Sequence, residues 1–124
     1  MALTKVDYNM TKNITGGLYT VSSQITLTAA AAIAFTGTTA RRIVKVQSTA
    51  GTGIIDMSAL TPQIQAGTVD GQELLLLGLS DADAIVLKNG NGLKLNGEWV
   101  STANSALELF WNATSSLWTE TGRA

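Results

Sequence analysis

The sequence predicts an all-β fold, a small antiparallel β-sandwich or barrel-like domain, and three observations carry that reading. Short runs of β-branched and apolar residues recur from Arg41 to the C-terminus between clusters of Gly, Asn, Asp and Ser, the spacing of sandwiches and barrels. Within these runs apolar and polar residues alternate with the two-residue period that sends successive side chains to opposite faces of a sheet. No helical or heptad repeat competes with them. At 124 residues the chain is the size of one domain, read as an N-terminal arm over 1–15 and a single all-β domain over 16–124.

The elements begin in residues 13–40, which carry no charge. Gln24-Ile25-Thr26-Leu27-Thr28 and Ala32-Ile33-Ala34-Phe35-Thr36 alternate as two strands, with a helical turn over Ala29–Ala32 as the rival reading. Next, Arg42-Ile43-Val44-Lys45-Val46-Gln47 and Ile54-Ile55-Asp56-Met57 flank a Gly- and Thr-rich turn, the pattern of a hairpin. Glu73-Leu74-Leu75-Leu76-Leu77-Gly78-Leu79 departs from the half-buried pattern, because period two places leucine on both faces. One reading sandwiches this strand between its own core and a neighbouring subunit, which makes Leu75, Leu77 and Leu79 interface residues, together with Ile33 and Phe35 of the uncharged segment. The other buries it as a central strand within one chain. Ile85-Val86-Leu87-Lys88 and Leu93-Lys94-Leu95 flank Asn89-Gly90-Asn91-Gly92, whose residues accept positive φ and suit a second hairpin. Finally, Leu107, Leu109 and Trp111 share a face, and the loop Asn112–Ser116 returns the chain into Leu117-Trp118-Thr119-Glu120 as a third.

Composition narrows the partners. Asp, Glu, Lys and Arg make up 14% of the chain, where soluble domains carry about 25%, and mean hydropathy is +0.20. Either subunit contacts cover part of the surface, or Thr, Ser and Asn do so in place of charges. A net charge of −1 lacks the basic footprint of a nucleic-acid binder. The apolar uncharged run Ala29–Phe35 is far short of the roughly 20 residues of a spanning helix, so no membrane partner is expected. The N-terminus has no basic region followed by an apolar run, which points to synthesis in the cytoplasm. There is no cysteine, hence no disulfide framework or thiolate chemistry.

Catalytic chemistry has little to work with. There is no histidine, so the commonest general base and metal ligand is missing. Asp81 and Asp83, with Asn89, offer oxygen ligands for calcium, but Asp pairs in loops usually cap their own backbone. Gly51-Thr52-Gly53 lacks the third glycine, the lysine and the helix of a phosphate loop. Arg41, Arg42 and Lys45 form a basic cluster suited to a phosphate, an acidic partner or the protection of a strand edge. Trp99 and Trp118 suit either a sugar-stacking platform or a core, and Trp111 a core. The expectation is a chain with no catalytic, cofactor-binding or metal-binding residues, and no enzyme.

The strings Ala66-Gly67-Thr68-Val69-Asp70-Gly71-Gln72-Glu73-Leu74, Ala84–Gly97 and Ala106–Arg123, ending in Trp118-Thr119-Glu120, resemble β-rich modules of tailed-phage virion proteins. In these a Gly-Gln-led leucine strand, a Gly-rich hairpin and a final Trp-x-Glu strand recur. The resemblance implies a homotrimer. Because the chain has no long shaft, it also implies a capsid decoration (cement) subunit on the outside of a phage head, partnered by itself and the major capsid protein. Leu3, Lys5, Tyr8 and Met10 of the arm would then meet the capsid. The alternative it leaves open is a fibre tip or receptor-binding knob that recognises a surface glycan through Trp99 and Trp118.

Overall fold

The computed structural model describes residues 21–35 and 39–124. Nine strands and no helix form among these residues: β1 Val21–Leu27, β2 Arg41–Ser48, β3 Ile55–Asp56, β4 Glu73–Gly78, β5 Ile85–Leu87, β6 Leu93–Lys94, β7 Trp99–Val100, β8 Ala106–Asn112 and β9 Leu117–Arg123. A six-stranded sheet runs β1-β2-β4-β8-β9-β6 and a three-stranded sheet runs β3-β5-β7. The all-β class read from the sequence is the class observed. Around Ala29–Ala32 there is neither helical turn nor full strand, only an isolated parallel bridge from Ile33 to Ile64.

Pairing within the sheets is mixed rather than antiparallel. Four ladders, β1 with β2, β2 with β4, β3 with β5 and β6 with β9, are parallel, against three antiparallel ones. Three of the parallel contacts repeat at one interval. Arg41 lies opposite Glu73, Ile55 opposite Ile85 and Ile33 opposite Ile64, so the chain returns over itself after 32, 30 and 31 residues. It winds as a short solenoid turn, which β7 and β8 close by adding antiparallel to β5 and β4.

Side chains at the corners explain why winding wins over two of the expected hairpins. At Thr49–Gly53, the Asp83 carboxylate accepts from the N–H groups of Gly51 (3.1 Å) and Gly53 (2.9 Å), and Ser48 N–H donates to Asp83 O at 2.8 Å. The turn is thereby tied to the next circuit of the chain, and β3 pairs with β5 instead of folding back on β2. The Asn89–Gly92 turn forms, with positive φ at Gly90, Asn91 and Gly92, yet β5 and β6 do not pair. Gln63 occupies that role: fully buried, it donates Nε2 to Lys88 O (2.7 Å) and Gly90 O (2.9 Å) and accepts from Lys88 N–H (3.0 Å). With those backbone groups satisfied, the chain crosses from one sheet to the other, and β6 joins β9. The third hairpin, β8 with β9, forms as expected, with an irregularity after Glu108.

Both sheets and the Ile33–Phe35 segment close on one core. Its members include Val44, Leu74, Leu76, Leu107 and Trp118 from the large sheet, Ile85, Leu87 and Trp99 from the small one, and Ile33 and Ile64 from the third side. β2 and β4 present it with alternating exposed or half-buried and buried residues along their length, the signature of strands with one face inward. Two glycines are set by contact. A Cβ on Gly67 would collide with the Trp111 ring, and one on Gly78 with the Ser101–Thr102 backbone.

Candidate functional site

The face of the six-stranded sheet turned away from the core is the candidate site. Register puts Ile43 beside Leu75 and Leu75 beside Glu108; Lys45 stands beside Leu77, and Leu77 beside Ala106; Arg41, Glu73 and Phe110 make the adjoining row. Among the described residues no other sheet stacks on this face. Ile43, Leu75, Leu77 and Phe110 are half-buried, forming an apolar strip across β2, β4 and β8. Charges frame it: Arg41 and Glu73 pair at 2.7 Å on adjacent strands, while Lys45 and Glu108 stand exposed on opposite flanks of β4. A recess of about 200 Å³ opens between Arg41, Ile43, Glu73, Leu75, Glu108 and Phe110.

The structure divides the residues singled out as an interface. Leu75 and Leu77 lie on the outer face, and Leu79, 36% exposed, follows β4. Ile33 and Phe35 belong to the chain's own core, 0% and 7% exposed, and present no surface to a neighbour. Ile43 and Phe110 belong to the strip although sequence reasoning passed over them. Their signal was the same as that of the leucine run, apolar residues in succession in Ile43-Val44 and Leu109-Phe110-Trp111, which period two must place on both faces. Leu3, Lys5, Tyr8 and Met10 lie outside the described residues.

The other candidates resolve into structure. Trp99 is 4% exposed and Trp118 0%, so neither offers a face to a sugar. Trp118 stands edge-on to Phe35 at 6.1 Å, packs on Trp111 at 5.3 Å, and donates its indole N–H to Gln65 O at 2.8 Å. Arg41, Arg42 and Lys45 form no cluster, because alternation sends Arg42 inward. There it is 7% exposed with its guanidinium 5.3 Å from the Phe35 ring. Since β2 lies between β1 and β4, these charges protect no edge. Asp83 holds the Thr49–Gly53 turn, and Asp81 accepts from Ala103 N–H at 2.9 Å, so both carboxylates cap backbone. Among the described residues no three His, Cys, Asp or Glu side chains gather closely enough to hold a metal ion, and no helix is long and apolar enough to cross a membrane.

Two further ion pairs lie away from this face, Asp56 with Lys88 and, within β9, Glu120 with Arg123. Asp56 is held down to a pKa of about 2 by Ser58, through its hydroxyl and backbone N–H, and by Lys88 at 3.0 Å. Glu120, its side chain 4% exposed, pairs with Arg123 at 2.6 Å. That bond, followed by the Asn96 N–H, lowers its pKa. Compared with family models, with curated proteins and with solved structures, the chain finds no match.

Proposed function

We propose that this chain is a structural subunit that acts by assembling: a homotrimer that decorates the outside of a tailed-phage head and stabilises it by binding the major capsid protein. The observation that supports assembly is the half-buried apolar strip of Ile43, Leu75, Leu77 and Phe110 on the outer sheet face, on which no other sheet stacks among the described residues. A chain with 14% charged residues has few means of keeping such a strip soluble other than covering it. Three copies turning this face toward a common axis would bury it by closed cyclic symmetry. The number three and the phage setting come from the resemblance of residues near 60–123 to virion modules.

The burial of Trp99 and Trp118 deprives the alternative, a glycan-binding fibre tip, of its aromatic platform. Light scattering on a sizing column tests the assembly directly: three times 12.9 kDa, about 39 kDa, is the expected mass, and a single-chain mass overturns the proposal. Sedimentation with naked phage heads then tests decoration, whose expected outcome is saturable binding that raises the temperature at which the heads open.

A further inference from the structure

We infer that the outer face carries its own assembly code, in which Lys45 of one protomer pairs with Glu108 of the next; the inference rests on the proposed self-assembly. Both side chains are exposed and neither has an ionic partner among the described residues. The contrast is Arg41 and Glu73 on the same face, which sit directly opposite each other on adjacent strands and pair within the chain. Lys45 and Glu108 form no such pair. Lys45 lies on β2 beside Leu77, and Glu108 lies on β8 beside Leu75, two strand spacings and one face repeat apart, about 12 Å between backbones, with the leucines between them.

That placement, one charge of each sign on either flank of an apolar centre, fits a second copy of this chain. If β4 of each protomer faces a threefold axis, the β2 flank of one turns toward the β8 flank of the next, in the same sense all round. Each contact then receives one lysine and one glutamate, and each protomer uses both charges once, so the ring closes with no charge left over. The leucines supply the apolar centre, while the charge pairs set register and reject like-flank docking, where two lysines or two glutamates would meet.

Charge reversal in the full chain tests this. K45E and E108K, each alone, should raise the dissociation constant of the assembly at least about tenfold, because each places like charges in contact. The double variant K45E/E108K restores the pair with its polarity inverted and should recover the constant to within about threefold. Both positions are exposed, and unchanged urea midpoints under dissociating conditions will show that the variants fold. A wild-type assembly indifferent to all three variants overturns the pairing and leaves self-assembly standing. A wild-type protein of 12.9 kDa at every concentration overturns both.

Discussion

Gln63 does at one residue what a strand would otherwise do. Its amide satisfies Lys88 N–H, Lys88 O and Gly90 O while its own backbone bridges Ile33 and Asn91, at 3.0 and 3.2 Å. Gln63→Leu keeps the volume and removes the amide; Gly90 O still accepts from Leu93 N–H at 3.1 Å, while Lys88 N–H and Lys88 O lose the partner that Gln63 gives them, at roughly 1–3 kcal/mol each. The expected loss is about 2 kcal/mol or more of unfolding free energy, read from the urea midpoint; a change under about 0.5 kcal/mol would show the amide to be dispensable. Glu120 makes a second prediction. Its pKa is lowered from 4.5, chiefly by the Arg123 hydrogen bond, so the folded state binds its proton less readily than the unfolded one. The stability it contributes is full above the ordinary glutamate value and is lost as pH falls through the lowered one. Arg123 stays charged throughout, its own pKa being raised by the same bond. Glu120→Gln should therefore destabilise at pH 7 and narrow the gap to wild type below pH 4; a gap of constant size would rule out ionisation as the cause.

At the scale of the element, β4 is where the core and the proposed assembly face can be tested apart. Leu74 and Leu76 face the core at 2% and 0% exposure, and Leu75 and Leu77, on the same strand, face out. Leu76→Ala should cost about 2–5 kcal/mol of monomer stability. Leu75→Asp should leave the circular dichroism spectrum intact and abolish the 39 kDa species expected from three chains of 12.9 kDa. Equal effects of the two on both readouts would contradict the two-faced strand. The strand itself was legible, because a run of leucines at period two places them on both faces, as Leu74 and Leu76 on one side and Leu75 and Leu77 on the other are found. The C-terminal hairpin was legible too, since its alternation and its loop agree. The other two hairpins were misread for one shared reason. Turn residues were correctly found at Thr49–Gly53 and Asn89–Gly92, but what the flanking strands pair with is decided by Asp83 and Gln63, some 30 residues away in each case. Local pattern carries no record of such partners. Ile33 and Phe35 show the same limit: alternation marked them as apolar and strand-like, and only the winding that brings Ile33 against Ile64 sends them inward.

For the whole molecule, the proposed assembly is tested by a quantity that depends on concentration. A monomer unfolds at a temperature independent of how much protein is present. A trimer that unfolds as it dissociates does not, because mass action favours the folded assembly as concentration rises. For three chains, each tenfold increase adds two factors of ten to the equilibrium, about 2.7 kcal/mol per trimer or about 0.9 kcal/mol per chain. For a domain of 124 residues that corresponds to a rise in Tm of about 3 °C per decade. Scanning calorimetry from 5 to 500 µM, about two decades, should show the transition climbing by about 6 °C in the wild type. Leu75→Asp should flatten the climb. K45E should lower the whole curve while keeping its slope at the highest concentrations, where the weakened assembly is again populated. A wild-type transition that stays fixed across this range would assign the outer face to something other than a second copy of the chain, whatever its strip of leucines suggests.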